Sequence, residues 1–185
     1  TKDNFVSYTL RPKNTKGIVV ESDFYENEDI AIIIQGSLSG LNNFTEQTID
    51  LYLKLFQKSK IILSIWENEI NKFPIKKYED KIKIIVNTTP LNEIHNVNLQ
   101  MISTHNALKY LKKKGIKYCL KTRTDCRIYN KNSLNHLKNL LLLFPIDNNF
   151  KHLGTRIISS SIDTRKFRVY GLSDIFLFGE TVNLE

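Results

Sequence analysis

The sequence predicts an α/β protein with a mostly parallel central sheet and helices on both faces. Three observations lead there. Apolar runs within residues 29–40, 60–66 and 81–87 are continuous rather than alternating, as in strands buried on both sides. Stretches with apolar residues at helical spacing lie between such runs. The resulting order, β-α-β-β-α-β-α-β-β, is most simply satisfied by parallel strands joined by crossover helices.

The elements follow in order. Residues 1–28 form a polar N-terminal segment ahead of a domain spanning 29–185, with one short apolar stretch at Ile18 to Val20. DIAIIIQGSLSG (29–40) is an apolar strand closing on Gln, Gly and Ser. Asn43 and Glu46 have capping-box spacing, and Ile49, Tyr52, Leu53 and Phe56 then repeat along a helix. KIILSIW (60–66) and KIKIIVN (81–87) are the next strands, joined by a polar connection containing Pro74. Residues 98–114 form a helix with Met101, Thr104, Ala107, Leu108 and Leu111 on one stripe. Lys112 to Lys114 and Gly115 close it, as the helix dipole and a C-terminal glycine favour. A charged strand at 118–128 precedes a helix at 132–144, whose apolar side is Leu134, Leu137, Leu141 and Phe144. Strands at 152–160 and 174–178, with a basic loop between them, complete the pattern.

Composition narrows the class. The chain has 185 residues, 41% hydrophobic and 25% charged, enough for a sizeable core and unlike a disordered segment. Lys and Arg outnumber Asp and Glu by 27 to 19, a net charge of +8, which suits an anionic substrate or an acidic membrane surface. Cys119 and Cys126 cannot pair within one extended strand, since seven residues span roughly 23 Å; they read as small buried hydrophobes of a reducing compartment. No apolar run approaches the roughly 18 residues that span a bilayer. The chain begins without Met and stops soon after an apolar strand, and so reads as a piece of a longer protein, truncated at the C-terminus.

The most informative stretch is YCLKTRTDCRI (118–128). If extended throughout, it places Lys121, Arg123, Asp125 and Arg127 on one face and Leu120, Thr122, Thr124 and Cys126 on the other. Buried charge is costly unless it is paired or meets a ligand, and these charges lie at the strand end where open α/β sheets bind ligands. The other strands end in Gln35, Gly36 and Ser37, in Ser64 and Trp66, and in Asn87 and Thr88. Amides, hydroxyls, one indole, cations and a carboxylate therefore converge on one edge, a set suited to a nucleotide diphosphate and its metal.

Familiar alternatives are missing. There is no Walker loop and no G-x-G-x-x-G. His95, His105, His136 and His152 lack metal-ligand spacing, and QGSLSG is not a nucleophile elbow.

The segments IIIQGSLSG, KIILSIW, NVNLQMISTHNAL, LKTRTDCRI and YGLSDIFLFG, in that order, resemble the WavE-type lipopolysaccharide-synthesis family from about residue 29 to 180. K-x-R-x-D and S-D-x-x-x-x-G are the most specific of these motifs. The resemblance implies a glycosyltransferase of hexosyltransferase type with a GT-A-like, Rossmann-like nucleotide-sugar-binding fold. Gln35, Gly36 and Ser37 would then sit where such folds hold the nucleotide, with Trp66 and Asn87 beside them. Asn98, Gln100, Ser103 and Thr104 would border the donor site, and Lys121 and Arg123 would face the diphosphate. Arg123 and Asp125 occupy the place of the acidic D-x-D motif. Asp125 becomes the ligand for Mn²⁺ or Mg²⁺, although Arg123 stands where the first acid would be and is itself able to neutralise phosphate. Asp174 becomes the general base, and Arg156, Arg165 and Arg168 grip phosphate of the leaving group or acceptor.

This reading implies a nucleotide-diphospho-sugar donor, a glycan or glycolipid acceptor of bacterial surface polysaccharide, and work in the cytoplasm, peripherally at the inner membrane. Two rivals remain: a basic binding domain for nucleic acid or acidic glycan, and a nucleotidyltransferase. The aromatic residues are not interleaved with the basic ones as nucleic-acid stacking requires, so no nucleic-acid partner is expected.

Overall fold

The computed structural model describes residues 28–38, 43–90, 96–162, 164, 165, 167 and 171–185. Most of the polar 1–28 segment, His95 and Arg168 lie outside these residues. The strands are β1 (Ile30–Gln35), β2 (Lys60–Trp66), β3 (Lys83–Asn87), β4 (Tyr118–Arg123), β5 (Ile158–Ser159) and β6 (Phe176–Glu180). The helices are α1 (Phe44–Leu55), α2 (Ile75–Tyr78), α3 (Val97–Lys113), α4 (Ser133–Leu143) and α5 (Thr181–Leu184). The strands form one sheet in the order β3-β2-β1-β4-β6-β5. The first four are parallel, and β6 is antiparallel to both β4 and β5. The predicted α/β architecture is thus observed, with an antiparallel edge.

All six residues of β1 are buried, as its continuous apolar run requires. Ile30, Ile32 and Ile34 pack with Ile49 and Tyr52 of α1 and Leu134 and Leu137 of α4. Ala31 and Ile33 point the opposite way, against Ala107, Leu108 and Leu111 of α3. Helices therefore cover both faces. Each buried Ile or Leu contributes about 1.5–3 kcal/mol, which makes this central strand the anchor of both layers.

Several boundaries differ from expectation, each for a local reason. The 118–128 strand stops at Arg123, because Cys126 N–H donates to the Arg123 carbonyl at 3.2 Å and turns the chain. Ile128 N–H then donates to the Tyr52 hydroxyl at 2.9 Å, holding the segment against α1. Arg127 does not share a face with Arg123. Its guanidinium donates to Thr48 Oγ1 and the Phe44 carbonyl at 2.8 and 2.9 Å and lies 4.1 Å over the Phe44 ring. Asn43 precedes α1 in a left-handed conformation with no side-chain cap, so the capping box does not form. Residues 67–72 and 148–153 are 3-10 turns, which leaves β5 only two residues long. Met101 on α3 falls outside the buried stripe, and Phe144 lies one residue past α4; both are exposed.

Candidate functional site

The chain reverses its direction of travel across the sheet between β1 and β4: β2 and β3 lie on one side of β1, and β4 opens the other. Open α/β sheets bind ligands at this point, beyond the carboxyl ends of the strands. A polar crevice of about 400 Å³ lies there. Gln35, Gly36 and Ser37 line it from the end of β1, Trp66 from β2, and Arg123, Thr124 and Asp125 from β4, with Leu99 and Gln100 closing it from α3.

The close approach of the β1 and β4 ends needs a glycine. Gly36 has φ +119°, and a Cβ there would lie 3.3 Å from Thr124 Oγ1. Thr124 in turn donates its hydroxyl to the Ser37 carbonyl, tying the two loops together. Gly36→Ala is expected to cost about 1–3 kcal/mol, seen as a fall in Tm of about 2–4 °C per kcal/mol. An unchanged Tm would show that the loop relaxes freely.

Arg123 is the centre of the crevice's electrostatics. Its Nε and Nη2 donate side-on to both oxygens of Asp125 at 2.9 and 2.7 Å, and Nη1 donates to Asp174 Oδ2 at 3.1 Å. Gln100 Nε2 donates to that same Oδ2 at 2.7 Å. Three of the five guanidinium N–H groups are thereby engaged, leaving two. Lys121, one strand pleat deeper, is buried, and its Nζ donates to the Asp174 backbone carbonyl at 2.8 Å. Two cations and two carboxylates cancel, so the cluster is neutral.

The charge states follow from these contacts. The Arg123 hydrogen bonds hold Asp125 below the usual carboxylate range. Partial burial alone would raise the Asp174 pKa, but the Gln100 hydrogen bond and the charges of Arg123 and Lys121 outweigh it and lower it. Both groups therefore add stability above the ordinary value of 3.8 and lose it as pH falls through their lower folded values. Arg123, Asp125 and Asp174 are 37%, 49% and 39% exposed at their side chains, so each pair contributes only about 0.2–1 kcal/mol.

The predicted residues separate into four groups. Gln35, Gly36, Ser37, Trp66, Gln100, Arg123 and Asp125 meet in the crevice, with Asp174 bonded to its wall. Asn87 and Ser103 are brought instead into a buried chain beneath α3. Ser103 Oγ donates to Gln35 Oε1 at 2.8 Å, and Ser64 Oγ donates to the Ser103 carbonyl at 2.8 Å. Asn87 Nδ2 donates to Ser64 Oγ and accepts, through Oδ1, from Asn106, both at 2.9 Å. These residues line neither cavity; their bonds run through Ser103 to Gln35. Thr104 and Lys121 line a second cavity, on the far side of Gln100 and Asp174. Arg156 is exposed and donates to the Pro145 carbonyl, and Arg165 is exposed; neither lines the crevice or the second cavity. The second cavity has no counterpart among the sequence expectations. The register places Lys121 and Leu177 beside Ile33 on the α3 face of the sheet, and the gap above them comes from packing.

Among the described residues no group of three or more His, Cys, Asp or Glu is placed to hold a metal ion. Asp125 nevertheless suits Mg²⁺ or Mn²⁺ as a single hard oxygen ligand whose site a diphosphate completes, the usual manner for Mg²⁺. Such an ion would have to take Asp125 from Arg123.

Open α/β proteins with a crevice at the switch point are a broad class; the family narrows it. The chain belongs to the WavE lipopolysaccharide synthesis family, whose model matches residues 30–184. No curated protein matches it. Among solved structures, 4-diphosphocytidyl-2C-methyl-D-erythritol synthase from Anaerococcus prevotii DSM 20548 is similar at 16% identity with a TM-score of 0.47, over 83% of this chain and 71% of that one. Among the described residues no helix is long and apolar enough to cross a membrane.

Proposed function

We propose that this chain is a glycosyltransferase that moves a sugar from a nucleotide-diphospho-sugar to an acceptor of bacterial surface polysaccharide. The observation that supports it is the crevice at the β1–β4 switch point. There Gln35, Gly36, Ser37 and Trp66 form the nucleotide side, and Arg123 and Asp125 the diphosphate side. Membership of a lipopolysaccharide synthesis family supplies the product class. Association with the cytoplasmic face of the membrane is part of this reading, consistent with the net charge of +8.

The transfer needs three things: a positioned donor, screened charge on the departing diphosphate, and removal of the acceptor proton. Asp174 serves as the base through Oδ1, since Oδ2 is held by Gln100 and Arg123. As its oxygen takes the proton, the acceptor oxygen bonds the anomeric carbon, and the diphosphate leaves with the electron pair of the broken C–O bond. Arg123 offers its two remaining N–H groups to the leaving phosphate. Because the four-charge cluster is neutral, a bound diphosphate adds unscreened negative charge. Asp125 would hold a divalent ion, which would supply the missing positive charge.

Thermal shift with a panel of nucleoside diphosphates and nucleotide-sugars, each with and without Mn²⁺, tests this. A nucleotide that binds the native state raises Tm by mass action, by RT ln(1 + [L]/Kd) in free energy. One base is expected to stabilise the chain more with Mn²⁺ than without it, and Asp125→Ala to remove that difference. Mn²⁺ alone is expected to give no shift, since both Asp125 oxygens are held by Arg123. Pyrophosphate release from a nucleoside triphosphate and a sugar phosphate, with no transfer from any nucleotide-sugar, would replace this reading with nucleotidyl transfer.

A further inference from the structure

A second cavity, of about 650 Å³, adjoins the crevice, and Gln100 lines both. Its walls are aliphatic: Met101, Leu108, Leu172, Leu177 and Leu184. No Phe, Tyr or Trp lines it; its polar groups are Gln100, Thr104, His105, Ser173, Asp174 and Glu185, beside Lys121, and aliphatic side chains supply most of the rest. Saturated hydrocarbon fits such walls. At its floor is Lys121, only 3% exposed.

The charges around the cavity are unequally matched. Of its two carboxylates, Asp174 is paired with Arg123 at 3.1 Å and Glu185 with Lys112 at 2.6 Å. Lys121 has no carboxylate at salt-bridge distance among the described residues, and its recorded acceptor is one backbone carbonyl. Desolvation accordingly lowers its pKa. An ammonium has three donors, and a buried cation is normally paired. An anion in the cavity would complete it.

We infer that this cavity is the acceptor site, and that the acceptor is an amphiphile in which an alkyl chain is joined to a phosphate that pairs with Lys121, a separate hydroxyl of the same molecule giving its proton to Asp174. The inference rests on the glycosyl-transfer reading, in which Asp174 is the base. Asp174 lines this cavity with an Oδ1 that carries no hydrogen bond among the described residues, while its Oδ2 faces the donor side. Donor and acceptor would thus meet across Gln100 and Asp174.

Octyl phosphate, octyl glucoside and inorganic phosphate, each below any micelle concentration, are titrated calorimetrically into the wild-type chain, Lys121→Met and Leu172→Gln. Octyl phosphate is expected to bind wild type at least tenfold more tightly than either control. Lys121→Met should lose at least tenfold of that affinity and Leu172→Gln at least threefold. Leu172→Gln should keep the unliganded Tm, since Leu172 is exposed; Lys121→Met leaves the Asp174 carbonyl without its donor, so its affinities are measured well below its own Tm. Equal octyl phosphate affinity in wild type and Lys121→Met, or no advantage over octyl glucoside, overturns the assignment. Selective octyl phosphate binding by a chain that no nucleotide stabilises would support the amphiphile site while removing the donor reading.

Discussion

Asp174→Asn is expected to reduce sugar transfer about 10²- to 10⁴-fold, the span typical of losing a general base, while changing nucleotide affinity by less than about threefold. The substitution is close to isosteric, and an asparagine oxygen still accepts from Gln100 and Arg123, so the crevice wall keeps its shape. What it loses is a negative oxygen able to take a proton. Transfer assayed at saturating donor, with nucleotide binding measured in parallel, separates the two. Undiminished transfer would place the base elsewhere. A collapse of nucleotide binding would instead show that Asp174 acts through Arg123, as one arm of the clamp that aims the guanidinium.

The lowered pKa of Asp174 adds a condition to this expectation. A base held below the ordinary carboxylate range is ionised throughout the neutral region but accepts protons weakly, so it contributes as the acceptor oxygen is already bonding to carbon. The acid side of the kcat/KM profile is therefore expected to stay flat down to about pH 5. In the proposed reaction Arg123 would tie base and leaving group together, since it donates to Asp174 on one edge and to Asp125 on the other. A phosphate drawing on the same guanidinium would weaken its hold on Asp174 and so raise the basicity of that carboxylate once a donor is bound.

The sheet and the crevice were legible because they follow from patterns of period and position. A continuous apolar run over residues 30–34, helices with buried stripes and charges at the end of β4 need no long-range information. The stop of β4 at Arg123 was not legible. It depends on a turn bonded back to Arg123 and on Tyr52, 76 residues away, receiving Ile128 N–H, and alternation carried past Arg123 sent Arg127 to the wrong face. Lys121 was legible as a buried charge, but its destination was not. Strand alternation puts it on the same face as Arg123, whereas the gap between α3 and β6 that opens above it arises from tertiary packing.

The polar ends of the three strands illustrate the same limit, and Asn87 supplies its sharpest test. Position alone made Gln35, Ser64 and Asn87 equivalent, all polar and all at a parallel strand's carboxyl end. The structure divides them: Gln35 reaches the crevice, and Ser64 and Asn87 stay beneath α3, holding the Ser103 that bonds Gln35. Asn87 is 1% exposed, donates to Ser64 Oγ and the Ile65 carbonyl, and accepts from Asn106. Asn87→Ala strips partners from groups that water cannot reach, each costing about 1–3 kcal/mol when left unsatisfied. A loss of about 2–4 kcal/mol is expected, lowering Tm by about 5–15 °C. Nucleotide affinity, measured well below that Tm, is expected to fall less than about threefold, because Gln35 keeps its bond to Ser103. The opposite result, stable protein with nucleotide binding lost more than tenfold, would bring Asn87 into the donor site and make the polar chain part of the binding surface.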